Sequence, residues 1–344
     1  MKNKLIRSKA PLRIGLAGGG TDVSPYPEIH GGAILNATIS MYAYATLRPL
    51  NSGKIVFISE DQKIHREYES IDYIEADGFL DLLKGIYNRI IKEFIHKPLS
   101  FELTTYVDAP PGSGLGTSST LVSSVVGAFK EWLKLPLGEY DIAHLAYEIE
   151  RIDMSMAGGK QDQYAATFGG VNFIEFYNND RVIVNPLRIK QEYIKELEFN
   201  IVLYYTGTSR LSSKIIEAQS KNVISQNKKS IEAMHKLKEQ AHLMKEAVLR
   251  GNINEIGEIL DFGWKYKKQT AVEISNPVID EIYQEALRVG STGGKISGAG
   301  GGGFFIFFCP GNSRYRVIES LQKYGGEFRR FNFTEYGLLS WTSR

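Results

Sequence analysis

Two α+β domains are the architecture that the 344-residue sequence predicts, and three observations carry the prediction. The chain is longer than one ordinary hydrophobic core serves. Both of its halves mix period-two strand patterns with apolar stripes spaced by three and four, the signature of strands and helices packed together. Between the halves, residues 177–200 turn polar and lose period, which predicts a boundary there.

The elements follow in chain order. Leu99, Phe101, Leu103, Thr105 and Val107 alternate along one strand. A turn-rich stretch from Asp108 to Ser119 comes next, with Gly112, Gly114 and Gly116 in it. After it, Leu121, Val122, Val125, Val126, Phe129, Trp132 and Leu133 recur as a buried helical stripe over 120–134. The loop therefore joins a strand to a helix N-terminus. A further helix is expected from Glu139 to Ile152, with Ile142, Leu145, Ala146, Ile149 and Ile152 inward. The second half opens on the apolar strand Ile201–Tyr205. A long helix follows, with Ile231, Met234, Leu237, Ala241, Met244 and Val248 on one face and Gly251 just past its end. Asn276 and Pro277 read as the N-cap and first position of another helix, closed by Gly290. The chain ends as strand (304–309), helix (313–324), strand (327–333) and strand (337–342).

Composition narrows the function classes. Hydrophobic residues are 43% and charged residues 23%, the ordinary range of a globular protein. A formal net charge of +2 gives no field that would draw nucleic acid or a membrane surface, so neither is expected as a partner. No run approaches the roughly 20 apolar residues of a membrane helix, and the basic N-terminus lacks a signal-peptide core; a cytoplasmic protein is expected. The single cysteine, Cys309, cannot form an internal disulfide and reads as a small buried hydrophobe. None of the six histidines stands at a metal-ligand spacing.

Three glycine-rich segments are candidates for chemistry: Gly18–Asp22, Gly112–Ser119 and Ser297–Gly303. Glycine lets main-chain amides approach a ligand, and a helix N-terminus adds unpaired N–H groups and the positive end of a dipole. The 112–119 loop combines both, so it reads as an anion site, the alternative being a tight turn before an N-capping serine. It is not a Walker A loop, because Gly116 is followed by Thr117 and Ser118 with no lysine. The G-x-G-x-x-G match at Gly298, Gly300 and Gly303 precedes a strand, so the Rossmann context is absent. Asp162, after Gly158-Gly159-Lys160-Gln161, is a candidate base or a turn residue. Glu148 and Glu150 both flank a helical stripe, and spacing does not say which of them faces a site.

The order of these segments resembles the GHMP kinases, the superfamily of galactokinase, homoserine kinase, mevalonate kinase and phosphomevalonate kinase. Ala10–Ile14 followed by Gly18–Asp22 is similar to its first motif, Pro111–Ser119 to its second and Lys295–Gly303 to its third. The resemblance implies an N-terminal domain like ribosomal protein S5 domain 2 over 1–190 and a ferredoxin-like C-terminal domain over 191–344. It also implies a site between them that uses ATP and Mg²⁺. By the same resemblance Pro111, Gly112, Ser113, Gly114, Leu115, Gly116, Thr117, Ser118 and Ser119 bind the nucleotide phosphates. Ser118 and Glu150 hold the metal, Asp162 is the base, and Arg13 sits beside it. Gly19, Gly20, Thr21, Asp22, Gly300 and Gly301 lie at the acceptor.

Galactokinases carry Glu-His where this chain has Gly19 and Gly20, so the resemblance does not extend to galactose. The strings Leu16–Asp22 and Gly158–Tyr164 are most similar to kinases of D-glycero-D-manno-heptose 7-phosphate, which act on the anomeric hydroxyl and supply nucleotide-activated heptose for surface polysaccharide. Fucokinase-type domains are the alternative. A second alternative is a sensor that binds ATP and sugar without turnover, against which intact Ser118, Glu150 and Asp162 argue. An acceptor that already bears phosphate needs cations, and Lys160 and Arg210 are the expected ones.

Overall fold

The computed structural model describes residues 4–208 and 212–343. Its twelve strands are β1 (Leu5–Ala17), β2 (Gly32–Pro49), β3 (Lys54–Ser59), β4 (Ile64–Glu69), β5 (Phe101–Val107), β6 (Val171–Phe176), β7 (Val182–Pro186), β8 (Ile201–Tyr205), β9 (Gly293–Ile296), β10 (Phe304–Phe308), β11 (Glu327–Arg329) and β12 (Leu339–Ser343). They form two sheets. The larger runs β12-β1-β2-β5-β3-β4, with β6 and β7 branching from β2. The branch exists because β2 is 18 residues long: Gly32–Ala37 pairs with β6, and Ala43–Pro49 pairs with β5. Only β3 and β5 run parallel; the other pairings in this sheet are antiparallel. The smaller sheet, β11-β8-β10-β9, is antiparallel throughout.

Three apolar clusters account for the layers. One lies inside the first sheet and its helices, where Phe57, Phe101, Phe129 and Tyr87 meet the stripe of the helix Thr117–Leu133. Another lies on one face of the second sheet around Trp264, Tyr283, Phe305 and Phe307, and it includes Cys309, whose thiol burial pushes up to about 12. The third joins the halves: Leu12, Ile14 and Leu35 pack with Leu203, Ile306, Phe308, Met244 and Val248. Strand β10 is buried on both faces, with Phe304, Ile306 and Phe308 toward the joint and Phe305 and Phe307 away from it. That double burial explains its unbroken apolar run.

Several expectations are adjusted. The polar stretch 177–200 holds β7, which pairs only with β6, and a helix, Gln191–Asn200, that buries just Leu197 and Asn200; so few apolar positions leave no visible period. The helix expected to Ile152 ends at Glu148 and continues as one π-helical turn, Ile149–Asp153. The wider turn shifts the face, and Ile152 is 59% exposed instead of inward. The strand expected over 327–333 forms a ladder at Glu327–Arg329, with β8, and beyond it Phe333 makes one isolated antiparallel bridge to Ile39 of β2. The last strand, β12, pairs with β1 in the first sheet, so the chain beyond residue 190 does not stay with the second one. Among the described residues no helix is long and apolar enough to cross a membrane.

Candidate active site

A cavity of about 620 Å³ opens between the two sheets' loops, walled by parts of all three glycine-rich segments and by the 155–162 loop. Each wall follows from local structure. Strand β5 ends at Val107, and the chain turns through Gly112, Gly114 and Gly116, all with positive φ, before the helix Thr117–Leu133 begins. The loop is locked to the third segment by main-chain contact: Phe304 N–H donates to Ser113 O (2.9 Å). At Gly114 a Cβ would sit 2.2 Å from Ser297 O, so only glycine permits this approach. Pro111, Gly112, Gly114, Gly116, Thr117, Ser118 and Ser119 face the cavity. Ser113 and Leu115 do not; both are fully buried, Leu115 in the core that joins the halves.

Asp162 lies in the first turn of the helix Gln161–Phe168. Arg13, from β1, grips its Oδ1 through Nε (2.6 Å) and Nη2 (2.5 Å). Arg13 Nη1 also donates to Gly114 O (2.6 Å) and Ser297 Oγ (3.3 Å), which ties base, phosphate loop and third segment to one guanidinium. Asp162 Oδ2 has no hydrogen bond among the described residues and lies 3.3 Å from the place of a Cβ on Gly116. The carboxylate thus has one oxygen held and one oxygen open beside the phosphate loop.

The π turn settles the choice between the two glutamates. Glu150 is fully buried, accepting from Ser118 Oγ (2.8 Å) and Gln163 Nε2 (2.6 Å), whereas Glu148 is turned to Arg89. Arg151, next to it, donates to Gly159 O (3.3 Å) and reaches Ser119 Oγ (3.4 Å) on the cavity wall. Sequence reasoning did not find Arg151 or Gln163, because nothing in their spacing marks them.

The acceptor residues divide. Asp22 and Gly20 line the cavity. Asp22 accepts from Gly20 N–H (3.3 Å) and Gln161 N–H (3.1 Å), and a Cβ on Gly159 would fall 1.9 Å from its Oδ2. Burial raises the Asp22 carboxyl above its ordinary value and the charge of Asp162 adds to the rise, against the N–H groups of Gln161 and of Asp22 itself and the charge of Lys267. Thr21 is buried in the frame of the loop, its hydroxyl among Gly18 O, Ala33 O and Ala33 N–H. Gly19, Gly300 and Gly301 stand behind the wall, with Gly301 N–H bonded to Ile274 O (2.8 Å). Lys160 is buried and bound to Asp180 (2.6 Å) and Glu28 (3.2 Å), off the cavity wall, so its charge is already answered. Arg210 lies outside the described residues.

Two lysines with no role assigned from the sequence stand at this end: Lys267, outside every motif, and Lys295, the first residue of the third. Lys267, the last residue of the helix Ile256–Lys267, lines the cavity and donates to Gly19 O (3.0 Å). Burial pulls it down to about 8. Lys295, on β9, is pulled down to about 7 by burial, then by Lys267 and Arg13.

Ser118 and Glu150 fit a Mg²⁺ ion held with nucleotide phosphates: a hydroxyl and one carboxylate, both hard oxygens, already bonded to each other on the phosphate loop. Among the described residues no cluster of three or more His, Cys, Asp or Glu forms a metal cage, and an ion bound through phosphates and water needs none.

The family models for the GHMP kinases N terminal domain and the GHMP kinases C terminal match residues 81–170 and 244–327. A D-glycero-alpha-D-manno-heptose 7-phosphate kinase from Campylobacter jejuni is 52% identical over 338 residues, covering 98% of this chain and 99% of that protein. The crystal structure of a D-glycero-D-manno-heptose 1-phosphate kinase from Bacteriodes thetaiotaomicron is 45% identical, with a TM-score of 0.84 over 98% of this chain and 99% of that one. A Lactococcus lactis galactokinase structure with galactose, 19% identical, has a TM-score of 0.79 over 97% of this chain and 95% of that one, which shows the shared fold. With both halves matched, the three glycine-rich segments gathered at one cavity and a relative of this identity along nearly its full length, the chain belongs to the GHMP kinase family.

Proposed function

We propose that this chain is an ATP-dependent sugar kinase that phosphorylates the anomeric hydroxyl of D-glycero-D-manno-heptose 7-phosphate, giving the 1,7-bisphosphate. The observation that carries the reading is the pairing of Asp162 with Arg13 beside the phosphate loop, in the same cavity wall as Ser118 and Glu150. The activity named for the Campylobacter jejuni relative supports the choice of acceptor.

In this reading Asp162 Oδ2 accepts the proton of the acceptor hydroxyl as that oxygen attacks the γ-phosphorus. The bond from the γ-phosphorus to the bridging oxygen breaks, and ADP leaves with that oxygen. Arg13 holds the base turned, and places positive charge beside the transferring group. The loop amides from Gly112 to Ser119 hold the phosphates in line, which is most of what phosphoryl transfer asks of a protein. Ser118 and Glu150 would hold Mg²⁺, which neutralises charge on the phosphate oxygens when bound. The division at residues 190 and 191 belongs to the same proposal, with β12 returning to the first unit.

The test offers ATP and Mg²⁺ with heptose 7-phosphate, fucose, galactose and mevalonate, and identifies products by phosphorus NMR. Heptose 1,7-bisphosphate is expected, with kcat down by about 10²–10⁴-fold in Asp162→Asn. Turnover of fucose alone would replace the acceptor, and ATP binding without any transfer would replace the kinase by a sensor.

A further inference from the structure

Beyond Arg13, which Asp162 holds, the acceptor end has Lys267 on the cavity wall, Lys295 behind that wall next to Gly15 and Gly19, and Asp22 on the wall. Their exposures are 3%, 4% and 1%. The carboxylate does not answer the lysines directly. Asp22 takes its hydrogen bonds from the N–H groups of Gly20 and Gln161, and among the described residues neither lysine forms a salt bridge. Lys267 uses one of its three donors, on Gly19 O. Lys295 Nζ has no hydrogen bond among the described residues and lies 3.6 Å from the place of a Cβ on Gly19 and 3.9 Å from one on Gly15. The Lys267 Nζ lies 2.9 Å from the place of a Cβ on Gly20. A side chain at any of these glycine positions would come up against one of the amines.

A buried ammonium without a partner is unfavourable, and two side by side are more so. The contrast with Lys160, equally buried but bound by two carboxylates, shows that the fold can satisfy such a group where no ligand is meant to. We infer that Lys267 and Lys295 form a subsite for an anionic group carried by the acceptor, which on the kinase reading above is its own phosphate. Two ammonium groups supply point charges that a dianion accepts at several oxygens. The inference rests on the proposed function only for the identity of that anion.

The groups that face Lys295 are Lys267, Arg13 and Asp22, from three different segments. With its amine pulled down to about 7, Lys295 is largely neutral at pH 8 in the free protein, and a bound dianion draws a proton back onto it.

The experiment compares heptose 7-phosphate with the same heptose lacking the phosphate, in wild type, Lys267→Met and Lys295→Met, each checked for folding by its melting curve. The preference for the phosphorylated acceptor, as a ratio of kcat/KM values, is expected to fall on the order of 10–100-fold in each variant. Binding of heptose 7-phosphate is measured separately by calorimetry without nucleotide, at pH 8 in two buffers of different ionisation heat. Proton uptake is expected in wild type and smaller in Lys295→Met, where only Lys267 remains to take a proton, a difference that a merely structural lysine would not give. An unchanged preference in both variants, or equal losses on both acceptors, overturns the subsite. Wild-type binding without transfer would sink the kinase reading and leave the subsite standing; transfer at an affinity insensitive to both lysines would do the reverse. No wild-type binding overturns both.

Discussion

The two ends of the cavity are built in different ways. The end proposed to hold the phosphates comes from one contiguous stretch, Pro111 to Ser119, in which main-chain geometry would do the binding and the glycines are visible as such. The acceptor end is assembled from Arg13 and Asp22, from Gln161 and Asp162, and from Lys267 and Lys295, and there the side-chain charges matter. A backbone site has to be local, because successive N–H groups must converge within one turn. A charge site need not be, because Coulomb interactions ignore sequence distance. The first kind is readable in a single motif, and the second is scattered over several segments, so that its full set is gathered only when the chain folds.

Four substitutions test that contrast, beginning with the largest effect. Glu150→Gln removes the carboxylate that Ser118 meets on the phosphate loop, and kcat with ATP and Mg²⁺ should drop by roughly 10²–10³-fold. Glu148→Gln, two residues earlier, turned to Arg89 and off the cavity wall, should leave kcat within about twofold. Comparable losses in the two would mean that the π turn does not select between them.

Next comes Gly114→Ala. Its φ of +83° and a Cβ 2.2 Å from Ser297 O put strain on the backbone lock between the second and third segments. A destabilisation of about 2–4 kcal/mol is expected, with a rise in KM for ATP larger than that for the acceptor. Chemical denaturation and initial rates measure both, and a loss confined to the acceptor would blur the two ends into one.

The smallest effect is the most specific to the acceptor end. Lys295 has a folded value near 7 and an ordinary value of 10.5, so between those pH values the unfolded chain binds more protons than the native one. Stability therefore rises with pH across that window and is lost as pH falls toward 7. Lys267, near 8, acts in the same direction over its upper part. Lys295→Met should raise the unfolding free energy of the free protein at pH 7 by about 1–2 kcal/mol and flatten its increase toward pH 9. A variant less stable than wild type, with the slope intact, would show that the amine supports the fold instead of being held at its expense.

Much of the fold was legible. The Asn276 side chain does accept from Ile279 N–H, and Gly251 does close the long helix Lys228–Arg250, because caps and stripes are local rules. The loop before the helix at Thr117 was legible for the same reason. Among the site residues, Arg13, Asp22, Ser118, Glu150 and Asp162 came from motifs and stand together at the cavity. Lys160 came from proximity to Asp162 in sequence, yet its side chain leaves the site for Asp180 and Glu28. Two residues along a chain are no measure of where a long side chain ends.

The sequence by itself determined the period of each strand and helix, the places where only glycine fits, and the order of three segments that marks the family, since these follow from backbone sterics and short-range spacing. Tertiary structure alone decided that β12 returns to β1, that one π turn points Glu150 inward and Ile152 out, and that Lys267 and Lys295 meet at the loop of Gly19 and Gly20. Those outcomes depend on which surfaces pack together and which charges are buried with them, and burial belongs to the folded molecule as a whole.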